Sequence, residues 1–91
     1  MIWNDTKSVT FEVNGEDINV TFRVPSSLEL EELLNNGKTP KDSEVVKKFY
    51  INSDAFANAD ELIKCPGARL LVNAIAVQIL ESAQIPVKLK N

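Results

Sequence analysis

The stretch Ser8–Val24, "SVTFEVNGEDINVTFRV", constrains the fold more tightly than any other part of the chain. Val9, Phe11 and Val13 alternate with Thr10 and Glu12. Beyond Asn14-Gly15, Ile18, Val20, Phe22 and Val24 alternate with Asn19, Thr21 and Arg23. A period of two sends one set of side chains to a buried sheet face and the other into water. Asn14-Gly15 supplies the positive-φ residues of a tight reversal. Glu16 and Asp17 are poor strand formers, which leaves a loop longer than two residues open. The expectation is an antiparallel hairpin over about residues 8–24. A hairpin alone is marginal in water, so its apolar face must pack on helices or on another chain. Two strands also leave two edges, and on the first strand only Glu12 resembles edge protection. Two readings stay open there: strand addition by another subunit, or cover from the extended closing stretch "IPVKL".

The rest reads as helices. In "PSSLELEELLNNG", Ser26 and Glu29 form a capping box, Leu30, Leu33 and Leu34 share one face, and Gly37 suits the left-handed position past the end. Thr39 as cap, Pro40 at the first helical position and Asp42 in the first turn open a second helix. It carries Val45, Val46 and Phe49 on one side and Lys47 and Lys48 on the other. Ser53 or Asp54 caps a turn through Phe56. Asn58 caps a short helix whose Asp60 and Glu61 face its positive end. A last helix starts at Pro66, and Pro86 disfavours helical conformation at Ile85. The expected helices span 26–36, 39–51, 58–64 and 66–83, with an extended tail over 85–91. The fold class is therefore α+β, an N-terminal β-hairpin followed by a compact bundle of three to four helices. Ninety-one residues make this one domain, 1–91.

Composition removes several function classes. There is no histidine and one cysteine, so Cys/His zinc sites and internal disulfides are excluded on count. Thirteen acids against ten bases give a net charge of −3, and Lys47-Lys48 is the only basic pair within an element, which argues against nucleic acid as a partner. No stretch approaches the roughly 18 apolar residues of a membrane span. "MIWNDTK" has no apolar signal segment. A soluble, intracellular protein without membrane attachment is expected.

Cys65 stands before Pro66 and Gly67 at the expected entrance of the last helix, where a dipole can lower a thiol pKa. A catalytic thiol needs a base, and histidine is absent. Cys65 is thus read as a small corner residue, with Pro66 set for a helix start and Gly67 allowing a close approach. Glu29, Glu31, Glu32, Asp54, Asp60 and Glu61 fall mostly in first turns, where the dipole accounts for them, and no calcium-loop spacing occurs. Gly15, Gly37 and Gly67 are isolated, without phosphate-loop spacing. No catalytic, cofactor-binding or metal-binding residue is expected, and the chain reads as a non-enzyme.

The last helix carries the anomaly. Ala68, Leu71, Val72, Ile75, Ala76, Ile79 and Ala83 form one broad apolar face. Leu70, Ala74 and Val77 form a second stripe where a surface helix should be polar. Such a helix is either wrapped by its own fold or shared with another molecule, and both readings remain open. The candidate partner-binding residues are Leu70, Ala74 and Val77, with Val9 and Phe11 on the hairpin face.

Two segments, "FEVNGEDINVTFRVPSSLELEEL" and "DELIKCPGARLLVNAIAVQILESA", in this order and spacing, resemble the small tail assembly chaperones of long-tailed bacteriophages and prophages. Phe22-Arg23-Val24-Pro25 and Cys65-Pro66-Gly67 are the short strings involved, and the likeness covers roughly residues 9–84. The resemblance implies a non-enzymatic role in the host bacterial cytoplasm. Its partners would be the apolar tape-measure protein, kept soluble until tail-tube proteins polymerise around it, and further copies in a homo-oligomer. The family has no catalytic residues to carry over. In many relatives a frameshift extends the chain after the position of Gln84, which would make this the shorter product. Alternatives are a structural subunit of a tail or head-tail connector, or a small regulatory protein-interaction module.

Overall fold

The structure is a computed structural model that describes residues 3–35, 37 and 39–90. Strand β1, Thr6–Val13, pairs antiparallel with β2, Glu16–Arg23, in a register that sets Val13 opposite Glu16, Phe11 opposite Ile18 and Val9 opposite Val20. Asn14 and Gly15 alone form the loop, with φ of 51° and 86°. Positive φ at both positions is what a type I′ reversal requires, and its twist matches that of the paired strands. The longer loop does not form. Glu16 and Asp17 complete the ladder through their backbones while their side chains stay in water.

The sheet has a third strand that the helical reading of 39–51 missed. Helix α2 spans only Asp42–Phe49. Tyr50 then turns extended, with φ −66° and ψ 134°, and β3, Tyr50–Ser53, pairs antiparallel with β2 to give the order β1-β2-β3. An aromatic and a β-branched residue suit a strand, and the second edge of β2 supplies the partner that local periodicity could not reveal. Asp54 prolongs the pairing: its N–H donates to the Asn19 carbonyl (3.2 Å) and its Oδ2 accepts from the Asn19 N–H (2.9 Å). Ser53 Oγ then accepts the amides of Ala55 and Phe56 at 3.2 and 2.9 Å, the turn expected there. The Tyr50 hydroxyl donates to the Phe56 carbonyl (2.6 Å) and lies 2.7 Å from Ser53 Oγ. Burial raises its pKa above the usual phenol value.

Helix boundaries shift inward for stated reasons. Thr39 and Pro40 stand outside α2, because Lys41 is still extended (φ −70°, ψ 143°) and its carbonyl accepts the first helical amides, from Glu44 and Val45. Helix α3 is Ala59–Lys64, and Asn58 caps it by accepting from the Glu61 N–H at 3.0 Å, as expected. The last helix, α4, is Arg69–Ser82 rather than 66–83. Pro66 does not start it. Cys65, Pro66, Gly67 and Ala68 form a turn in which the Ala68 N–H donates to the Cys65 carbonyl (3.3 Å) and Gly67 takes φ 86°. Proline second and a positive-φ glycine third is the type II arrangement. Gly67 is needed for that φ and not for a close approach, since a Cβ there would meet nothing within 4 Å.

Helix α1, Ser27–Leu34, has the expected capping box: Ser26 Oγ accepts from the Glu29 N–H (3.2 Å) and Glu29 Oε1 from the Ser26 N–H (3.1 Å). It ends before the expected 36, at a C-cap formed by Asn35; Asn36 lies outside the described residues, and Gly37 takes φ 66° as expected. Residues 84–90 follow α4 without helix, strand or turn, while Asn91, the last residue of the expected tail, also lies outside the described residues.

The core forms where α2, α3 and α4 cover β2 and β3. Val20, Phe22, Val45, Val46, Phe49, Leu62, Ile75 and Ile79 are all but excluded from solvent. Burial of such side chains is the main favourable term in folding. At the margins the cover thins: Val9 and Phe11 on β1 are half-buried, and α1 buries none of its residues. Of the two expected hairpin edges, β3 covers that of β2 and becomes a short edge strand itself, while the edge of β1 stays unpaired among the described residues. Among the described residues no backbone hydrogen bond joins residues 84–90 to it. No helix of the described residues is long and apolar enough to cross a membrane.

Candidate functional site

The thin cover over β1 opens a groove between the hairpin and the start of α4. One wall is Phe11, Val13 and Ile18; the other is Leu70, Leu71 and Ala74, with Phe56 between them and the Cys65-Pro66-Gly67 turn closing one end. Its volume is about 540 Å³. Glu12 and Asn14 supply its polar side chains, at the hairpin tip. The register puts Phe11 and Val13 on the inner sheet face, while the type II turn swings α4 so that Leu70 stands at the rim, 82 % exposed.

Of the five residues singled out from the sequence, three meet here: Phe11, Leu70 and Ala74. Two do not. Val9 lies further along β1, half-buried against the core, and Val77 continues the α4 stripe beyond the groove at 42 % exposure. The helix thus divides its two apolar stripes. Ile75, Ala76 and Ile79 are buried, whereas Leu70 and Val77 face solvent and Ala74 is half-buried. Phe56 was missed as a site residue. Its signal was a lone aromatic in the polar stretch "NSDAFANAD", held by the Ser53 turn and the Tyr50 hydroxyl.

Charge is arranged away from the groove, with one exception. Arg23 Nη1 and Nη2 donate to Glu29 Oε1 and Oε2 at 2.8 and 2.7 Å, and its guanidinium carbon lies 4.7 Å from the Phe49 ring centre. The Arg23 hydrogen bonds, then the Ser26 amide, lower the Glu29 pKa to about 2. The exception is at the tip, where Glu12 and Asp17 stand directly opposite each other across the strands. Like charges in such a pair repel. Among the described residues the ion pairs are Arg23–Glu29 and Lys48–Glu32, so neither tip carboxylate has a cation.

Cys65 is half-buried, its Sγ 3.6 Å from the Pro66 carbonyl oxygen, and it stands four positions before Arg69, the first residue of α4. The helix-entrance position considered for this thiol is therefore not the one it occupies. What the groove offers is apolar contact: an apolar side chain that fills such a site gains on the order of 1.5–3 kcal/mol when fully buried. In comparisons with known proteins, no family model, no curated protein and no solved structure matches the chain.

Proposed function

We propose that this chain is a non-enzymatic tail assembly chaperone of a long-tailed phage or prophage, which holds apolar segments of a tape-measure protein until tail-tube subunits enclose them. The observation that carries the reading is the exposure of Leu70 beside a groove walled by Phe11, Ile18 and Phe56. An exposed apolar side chain counts as a contact surface when it is continuous with an apolar recess, as Leu70 is with this groove. The family assignment itself rests on the resemblance of the two sequence segments. The reading puts the client against Leu70 and Ala74, with Val77 extending the contact along α4.

The test is co-expression with a tape-measure protein and a Leu70→Asp/Val77→Asp variant. Both side chains are already exposed, so the helical circular dichroism should persist while the soluble yield of the client falls several-fold. A folded variant that solubilises the client as well as the parent does overturns the reading. So does loss of helical signal in the variant, because the stripe would then be core.

A further inference from the structure

The β1 edge and residues 85–90 have complementary patterns, and among the described residues no backbone hydrogen bond joins them within one chain. In a two-residue hairpin the pair flanking the turn, Val13 and Glu16, exchanges both of its hydrogen bonds, and the bonded pairs then alternate. Phe11, Val9 and Lys7 therefore bond towards β2, while the N–H and C=O groups of Ser8, Thr10 and Glu12 point outward along the free edge. Residues 85–90, "IPVKLK", repeat every second residue: the aliphatic Ile85, Val87 and Leu89 alternate with Pro86 and the cationic Lys88 and Lys90. They belong to no helix or strand of their own chain, and Val87 is 95 % and Leu89 84 % exposed. A period-two segment with one apolar side has the pattern of a strand that lacks its sheet.

We infer that residues 85–90 of a second copy add as a fourth strand to the β1 edge, so that copies of this chain associate through strand addition. One choice of face satisfies both patterns. With Ile85, Val87 and Leu89 on the inner side, they extend the half-covered row of Val9, Phe11 and Val13. Lys88 and Lys90 then fall on the wet face, in the row of Ser8, Thr10 and Glu12. That places cationic side chains beside the Glu12–Asp17 pair, which has none among the described residues. Backbone bonds supply affinity in this mode and the alternate side chains supply register. Pro86, which has no N–H, sits near the start of the added strand, where a missing donor is tolerated. A second copy is the occupant because the chain's own segment leaves α4 beside Thr6 and Lys7, with Ile85 facing the same recess, yet makes no bond to the edge. The inference is independent of the chaperone reading, since the α4 stripe takes no part in it.

The experiment is amide hydrogen exchange of the full chain at rising protein concentration, with sedimentation velocity on the same samples. The Ser8, Thr10 and Glu12 amides should become protected as the chain associates. A Val87→Asp/Leu89→Asp variant, altered only at exposed positions, should stay folded, lose that protection and associate about tenfold more weakly or worse. A Glu12→Lys copy mixed with a Lys88→Glu/Lys90→Glu copy should associate more tightly than either variant does alone. Three results overturn the inference: a chain that stays monomeric, association that leaves the three amides fast, or protection independent of concentration, which would put the segment on its own edge.

Discussion

Helices α1 and α2 have the same length and opposite supports. Helix α1 buries no residue; its start is held by a complete capping box, with Arg23 reaching from β2 to clamp Glu29. Helix α2 has no side-chain cap and buries Val45, Val46 and Phe49. Isolated helices this short are unstable in water, so each needs help from outside its own ladder. The difference shows two sources for that help: polar chemistry at one end of α1, and apolar contact along one side of α2. Substitutions should separate them sharply.

The largest effect should come from Phe49→Ala, which removes a ring from the buried cluster it shares with Phe22, Leu62, Ile75 and Ile79 and opens a cavity in the core. Truncations of this kind cost about 3–5 kcal/mol, a large share of the stability of a chain this size, and urea unfolding will measure the loss. Ser26→Ala should cost about 1 kcal/mol, the usual worth of an N-cap, with the same assay reading it.

Acid should act through the same clamp. The folded Glu29 pKa is about 2 against an ordinary 4.5, so its stabilisation is complete above 4.5 and is lost as the pH falls through 2. Denaturation curves of the parent and Glu29→Gln should therefore converge across that window and stay apart above it. A gap unchanged down to the lowest pH would mean that the clamp does not hold the helix. Smallest of all, Leu28→Lys on the open side of α1 should change stability by no more than about 0.5 kcal/mol, since Leu28 is already exposed. A larger loss would show that α1 is packed rather than capped.

The same division explains what could be read from the chain alone. Asn14-Gly15, the Ser26–Glu29 box and the Asn58 cap are local devices, complete within a few residues, and the structure has each where the sequence implied it. The failures are non-local. Tyr50 and Ile51 continue the apolar pattern of α2, and only the vacant side of β2 makes Tyr50–Ser53 a strand. Pro66-Gly67 fits a helix start as well as a type II turn, and the choice depends on where α4 must lie to bury Ile75 and Ile79. The outward stripe of Leu70, Ala74 and Val77 is legible from period alone. That Leu70 faces Phe11 and Phe56 follows from the angle between hairpin and helix, which no periodicity encodes. Arg23 gave a faint sign: a cation just before a proline, with the box glutamate six residues later.

The third strand also sets an order of events in folding. The hairpin closes over two residues and can form within microseconds, whereas β3 reaches β2 only after residues 24–49 have been looped out. Until then the second side of β2 is bare, and Phe22 has neither Phe49 nor Tyr50 to meet. The slow step should be the arrival of that loop's far end, with Phe49 and Tyr50 in the transition state and α1 a passenger. A passenger segment between two anchored strands is also where the chain should best accept added residues, because lengthening a loop that is already long costs little entropy.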